Sequence, residues 1–162
     1  MASQFRKSPP ICLGISLVKL IFRKLRFSKR YLGETVQIKD GQKFRIFRHI
    51  TVYPQMKTEN QIVFIVSIKF ARLSHKVNKI ASIIPMLLIA GFPGFNAKIY
   101  AVNQNNGFWQ GMYQWKSKQV LEEYKDSFVF RMMNKRAIKN TVISQEYNNS
   151  QLINIIEKRT IL

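Results

Sequence analysis

Over residues 61–147 the sequence predicts an α+β domain whose elements run strand, helix, strand, strand, helix, strand, and three observations predict it. Ile62, Phe64, Val66, Ile68 and Phe70 alternate with their neighbours, which puts them on one face of an opening strand. Two later stretches carry apolar residues at helical spacing, each introduced by a serine, Ser74 or Ser117, able to cap the first free N–H groups. Between them, Asn105-Asn106-Gly107 separates two β-prone runs as a hairpin turn does.

Taken in order, residues 1–10 form a polar lead ending in Pro9-Pro10. Ile11, Ile15, Val18, Phe22 and Leu25 then recur on one helix face, and Lys19, Arg23, Arg26 and Arg30 on another, which predicts a basic amphipathic helix over 11–32. Asp40-Gly41, between two β-prone runs, predicts a hairpin over 35–53. Residues 54–60 read as a linker, so 1–60 are taken as a basic extension. After the opening strand, Val77, Ile80, Ile84 and Leu87 mark the apolar side of a helix that Pro85 breaks or bends. A turn at Gly91-Phe92-Pro93-Gly94 leads to a strand Phe95–Val102, and the hairpin returns as Phe108–Trp115. Val120, Tyr124, Phe128 and Met132 face inward on the second helix, 141–147 is the last strand, and 148–162 is a tail with a short helix near 150–158.

This βαββαβ order is the ferredoxin-like split βαβ unit, an antiparallel sheet with both helices on one face. The opening strand is apolar on both sides at Ile62-Val63-Phe64-Ile65-Val66, and the third strand carries Trp109, Tyr113 and Trp115. Neither face suits water. A second copy of the sheet is the simplest cover, so a homodimer is expected.

Composition bounds the function. The chain has 162 residues, 46% of them hydrophobic, enough for a real core. Its 27 Lys+Arg against 8 Asp+Glu give a net charge of +19, a field that favours polyanions or an anionic membrane surface. Arg6, Lys7, Lys19, Arg23, Lys24, Arg26, Lys29 and Arg30 lie in the first thirty residues with no acidic residue among them; a codon bias toward Lys, Ile and Asn is the plainer account of the remaining charge. Cys12 is the only cysteine, which excludes a disulfide within the chain and a zinc cluster and fits a reducing, cytoplasmic compartment. As a helix, residues 11–22 would span only ~18 Å against a hydrocarbon core of ~30 Å. Lying on the inner membrane face is therefore possible for this stretch, and crossing is not.

Pro93-Gly94-Phe95 followed by Lys98-Ile99-Tyr100, then Gly111-Met112-Tyr113-Gln114-Trp115 and Tyr124, resembles the signature of the dimeric α+β barrel superfamily, in particular its YdhR-type mono-oxygenase group. The resemblance spans about residues 62–147. It implies two sheets packed face to face in a homodimer and a pocket between sheet and helices in each subunit. The family includes cofactor-independent mono-oxygenases of polycyclic aromatics, enzymes that break down haem, and members without known activity. Val120-Leu121 departs from its usual small residues, and no Asn–Trp–His set of the haem-degrading type aligns.

No phosphate loop, useful carboxylate pair or HExxH motif is present, and His49 and His75 are the only imidazoles. Glu122, Glu123 and Asp126 cluster as a solvated helix face. An oxygenase needing neither metal nor flavin requires a dry aromatic pocket and one group to help form the substrate anion. Trp109 and Trp115 are candidate walls, Tyr113 and His75 candidate polar handles, and Phe92, closing the apolar run 83–92, a candidate for the pocket mouth. The plainer alternative is that these rings fill the core or an interface.

Two other functions compete. An RNA-recognition domain shares the topology, but Asn106 stands where a basic residue belongs and Gln110 where a stacking ring is required, so nucleic acid is not the expected partner. A non-catalytic membrane-surface or scaffolding role would use Lys19, Arg23, Lys24, Arg26, Lys29 and Arg30 against anionic lipid. The alternative for that helix is packing on its own domain.

Overall fold

The computed structural model describes residues 8–38, 41–55, 58–71 and 74–161. Residues 1–7 of the lead, with Arg6 and Lys7, and Asp40 of the expected turn lie outside them, while Pro9-Pro10, expected in the lead, open the first helix. The elements are α1 (Pro9–Ile21), β1 (Leu25–Phe27), β2 (Thr35–Gln37), β3 (Lys43–Val52), β4 (Ile62–Lys69), α2 (His75–Ala81), α3 (Ile83–Gly91), β5 (Phe95–Val102), β6 (Phe108–Trp115), α4 (Lys118–Lys125), α5 (Phe128–Lys135), β7 (Ile143–Asn148), α6 (Leu152–Glu157) and β8 (Thr160–Ile161).

Strands β7-β4-β6-β5 pair antiparallel in that order, the ferredoxin-like arrangement, with α2–α3 and α4–α5 as the two crossovers. The hairpin β2–β3 forms as expected and joins the same sheet, because β3 pairs with β5, placing Ile50 opposite Lys98 and Arg48 opposite Tyr100. With β8 on β2 and β1 on β3, the sheet has eight strands.

Each predicted crossover helix is two short helices. Ser82 separates α2 from α3, so Pro85 falls in the first turn of α3, where no backbone donor is missed. Ser127 separates α4 from α5 and accepts from Phe130 N at 3.3 Å, a cap inside what the spacing joins into one helix. The inward faces shift accordingly. Val77, Ile80 and Ile84 are exposed, while Asn78, Met86, Ile89 and Ala90 are buried; Phe128 is exposed and Val129 buried.

The first helix also departs from its pattern. It ends at Ile21, since Arg23 takes φ 53° and Lys24 N bonds back to Lys19 O. Leu25, expected on the helix, is instead buried in β1 against β3. The seated face is Cys12 and Ser16, while Val18 and Phe22 are 53% and 68% exposed. Backbone proximity explains the choice. A Cβ on Gly91 would come 1.7 Å from Cys12 O, so the two helices touch main chain to main chain, and a small-residue face is what fits.

Two cores result. On the helix side, Phe64, Val66, Tyr113, Trp115, Leu121 and Tyr124 pack with α3 and α5. On the other side, Val63, Ile65, Ile99 and Met112 pack with Val36, Phe44 and the tail residues Leu152, Ile155 and Ile156. The apolar second face, from which the sequence led to a second copy, is covered here by the chain's own α6.

Candidate functional site

Alternation along three strands and their register bring the site together. Opposite each other on the helix face stand Lys98 of β5, Tyr113 of β6 and Phe64 of β4; in the next row stand Tyr100, Gly111 and Val66. Gly111 leaves a gap in its row, and the Tyr113 ring lies across it. A Cβ there would sit 2.7 Å from Tyr113 Cε2. Trp109, one row further, packs edge-on to Phe47 at 5.1 Å between centroids.

These side chains and the helices enclose a cavity of about 60 Å³, lined by Trp109, Tyr113, Tyr100, Lys98, Tyr124 and Met133 among others. Such a volume holds about four to six waters or a small ring fragment. Apolar walls dominate, and among the described residues no carboxylate lines it. Met132 and Met133 form part of the helix wall, and flexible thioethers adapt readily to a ligand.

Its polar groups are few. Tyr124 OH donates to Tyr113 OH at 3.4 Å, and Tyr113 OH points at Met133 Sδ, 3.9 Å away. Burial pushes all three phenols, Tyr100, Tyr113 and Tyr124, up, so they remain hydrogen-bonding acids and not phenolate bases at neutral pH. Tyr100 OH is buried without a partner. Lys98 is 4% exposed, with Nζ 3.9 Å from the Tyr100 ring centroid and 4.2 Å from that of Tyr113. Burial, and then the Arg48 guanidinium, push its amine well below the ordinary lysine value. Arg48 itself is held by Ser82 Oγ at 2.8 Å and Lys79 O at 2.9 Å.

The sequence candidates divide. Trp109 and Tyr113 line the cavity. Trp115 and Phe92 do not; they meet edge-on at 5.8 Å in the filled core beside it, with Tyr124 4.7 Å from Trp115. His75 stands behind Trp109, its Nδ1 accepting from Trp109 Nε1 at 3.2 Å, and so holds the wall instead of facing the cavity. Lys98, Tyr100, Tyr124 and Met133 were not singled out as site residues. The signal for Lys98 was present, as the one charged residue of a mostly apolar strand and within the signature itself.

Of the basic surface residues, Arg23, Lys24, Arg26, Lys29 and Arg30 are exposed, with Arg30 bonded to Glu157. Lys19 is not available to a surface. Its Nζ donates to Ala90 O at 2.7 Å, helping to seat α1 on α3. Among the described residues no helix is long and apolar enough to cross a membrane. A second cleft of about 120 Å³ lies on the opposite sheet face by Ile65, Phe108 and Gln145, and among the described residues no ionisable side chain lines it.

No family model and no curated protein sequence matches the chain. Solved structures do. A monooxygenase-like protein from Listeria innocua matches with 12% identity, a TM-score of 0.53 and coverage of 71% of this chain and 68% of that one. A ferredoxin-fold protein related to antibiotic biosynthesis monooxygenases from Listeria monocytogenes matches with 10% identity and a TM-score of 0.54, covering 84% and 88%. A heme-degrading enzyme from Listeria monocytogenes matches with 13% identity and a TM-score of 0.51, covering 82% and 91%. The class of fold is thereby defined: the chain has a ferredoxin-like α+β fold, and the solved structures similar to it include monooxygenase-like proteins.

Proposed function

We propose that the chain binds a small aromatic or hydrophobic molecule in the cavity between sheet and helices and acts on it as a cofactor-independent mono-oxygenase. The cavity beside Trp109 and Tyr113 carries this reading: it is apolar, aromatic and internal, the environment in which an electron-rich ring is kept from water. In such a reaction the ring supplies electrons, dioxygen is the oxidant, one oxygen enters the product and the other leaves as water. Trp109 would act as a wall held by His75, and the Tyr113 phenol would donate a hydrogen bond to the developing substrate anion. Binding is tested by titrating 1-naphthol and indole against the full chain while following tryptophan emission, with Trp115→Phe used to isolate Trp109. Saturable change from Trp109 supports the reading; no change with any ring sinks it. Oxygen uptake with 1-naphthol then tests turnover.

A second reading, a non-catalytic membrane-surface role, has its own support. Leu17, Val18, Ile21 and Phe22 are 46%, 53%, 76% and 68% exposed, and exposed Arg23, Lys24 and Arg26 follow at once. Apolar side chains beside cations suit an anionic leaflet. Co-sedimentation with phosphatidylglycerol vesicles across a salt series, compared with Ile21→Glu/Phe22→Glu, checks it. Equal sedimentation of the two proteins removes it.

A further inference from the structure

Burying a cation without an anion is costly, and proteins normally supply a carboxylate or let the group reach water. Lys98 does neither. Its stem begins on β5, the middle strand in the order β7-β4-β6-β5-β3-β2-β8, and its head ends between two tyrosine rings at the cavity wall. Among the described residues its Nζ makes no hydrogen bond or ion pair; two ring faces are all it has. No element packed around it offsets the charge. β3 brings Arg48 and the C-terminal end of α5 brings Arg136, while β5, β6 and α4 bring the neutral phenols of Tyr100, Tyr113 and Tyr124. From α2 and α3 come Asn78 and Ser82, which do not titrate. A second polar group beside the amine, Tyr100 OH, is equally unpartnered.

We infer that the missing counter-charge is carried by the ligand: the cavity takes a small aromatic acid, its ring against Trp109 and Tyr113 and its carboxylate on Lys98 Nζ and Tyr100 OH. This rests on the proposal that the cavity binds a ring, and narrows the ligand class within it. Burial shifts the amine of the empty cavity toward its neutral form, and an arriving carboxylate shifts it back toward the ammonium. Binding therefore takes up as much as one proton and strengthens as pH falls, until the carboxylate itself protonates.

Isothermal titration calorimetry of the full chain with benzoate, and with benzyl alcohol as its uncharged counterpart, tests this in buffers of different ionisation enthalpy. Expected are tighter binding of benzoate than of benzyl alcohol, proton uptake with benzoate only, and in Lys98→Met a loss of benzoate affinity on the order of tenfold or more, well beyond any change for benzyl alcohol. Lys98→Met exchanges a buried amine for an apolar chain of similar length, and its circular dichroism and melting temperature certify its fold. Tyr100→Phe, which leaves the amine in place, should weaken benzoate by a smaller factor. If the unaltered chain binds benzyl alcohol as well as benzoate, or if Lys98→Met binds benzoate normally, the inference is wrong and the cavity still binds rings. If the unaltered chain binds neither, the ring-binding proposal falls, and this one with it.

Discussion

The two faces of β4, β5 and β6 come from alternate residues of the same strands, yet they are closed in different ways. Toward α6 stand Val63, Ile65, Ala97, Ile99, Ala101 and Met112, all 3% exposed or less, with Leu152, Ile155 and Ile156 packed on them. Toward the crossover helices stand Phe64, Tyr100, Trp109, Tyr113 and Trp115, and a cavity remains among them. Branched and small aliphatic side chains interlock at high density. Large flat rings constrained to tilted and edge-on contacts leave gaps unless something fits between them. A six-residue helix covers most of one face, docked by Leu152 N on Gln114 Oε1 at 3.1 Å and leaving a cleft of about 120 Å³ by Ile65 and Phe108, while the four crossover helices leave a cavity of about 60 Å³ walled by rings. What sets the crossover face apart is its lining, aromatic rings with a buried amine among them, where the other cleft is lined by aliphatic and amide side chains and one ring.

Changes to α6 should break this contrast most severely. Ile156→Asp puts a charge at a fully buried position, and we expect a loss of more than about 4 kcal/mol, with α6 released and the bared strand face driving self-association. Urea denaturation and sedimentation velocity read the two effects. Within the aromatic face, Trp115→Ala should cost about 3–5 kcal/mol, since four rings surround it, whereas Trp109→Ala at the cavity edge should cost roughly half as much. Equal losses would mean that the cavity is as well filled as the core. Gly111→Ala should cost about 1–3 kcal/mol by driving the Tyr113 ring off its seat, and should abolish ring binding; denaturation and the naphthol titration measure these.

Smaller effects come from pH. The folded chain depresses the Lys98 amine from 10.5, so between the depressed value and 10.5 the unfolded chain binds the additional proton. Stability therefore rises with pH through that window, and the penalty is complete below it. Melting temperatures of Lys98→Met should lack this rise and exceed those of the unaltered chain near neutrality. His49, on β3, is lowered from 6.5 to about 4, by burial first and then by Arg30. The unfolded chain gains a proton there as pH falls below 6.5, so stability declines between pH 6.5 and about 4 and then levels off. His49→Gln should flatten that decline.

The expectations that held depended on short-range rules. Alternation in β4 and β6, serine caps at Ser74 and Ser117, and the turn before Phe108 recur in the fold, and period two alone brought Trp109 and Tyr113 to one face. Trp115 shares that face but lies under Phe92, Phe95 and Tyr124, whose positions depend on how the helices cross. The spacing of Ile11 to Leu25 fitted a helix that stops after Ile21, because periodicity is blind to the positive φ of Arg23 and to the pairing that claims Leu25. Lys98 was visible as a motif letter and as the one charge in its strand. That its head is dry follows from β3, β6 and two helices converging on it.

The residues by themselves determined the order of elements, the strand faces and the hairpin turns, since those follow from local sterics and the pitch of helix and strand. Tertiary structure alone decided that α6 seals one face, that Cys12 and Ser16 seat the first helix, and that an amine lies unpaired in an aromatic cavity. Each of these depends on which distant surfaces meet, and packing over such distances leaves no period in the chain to read.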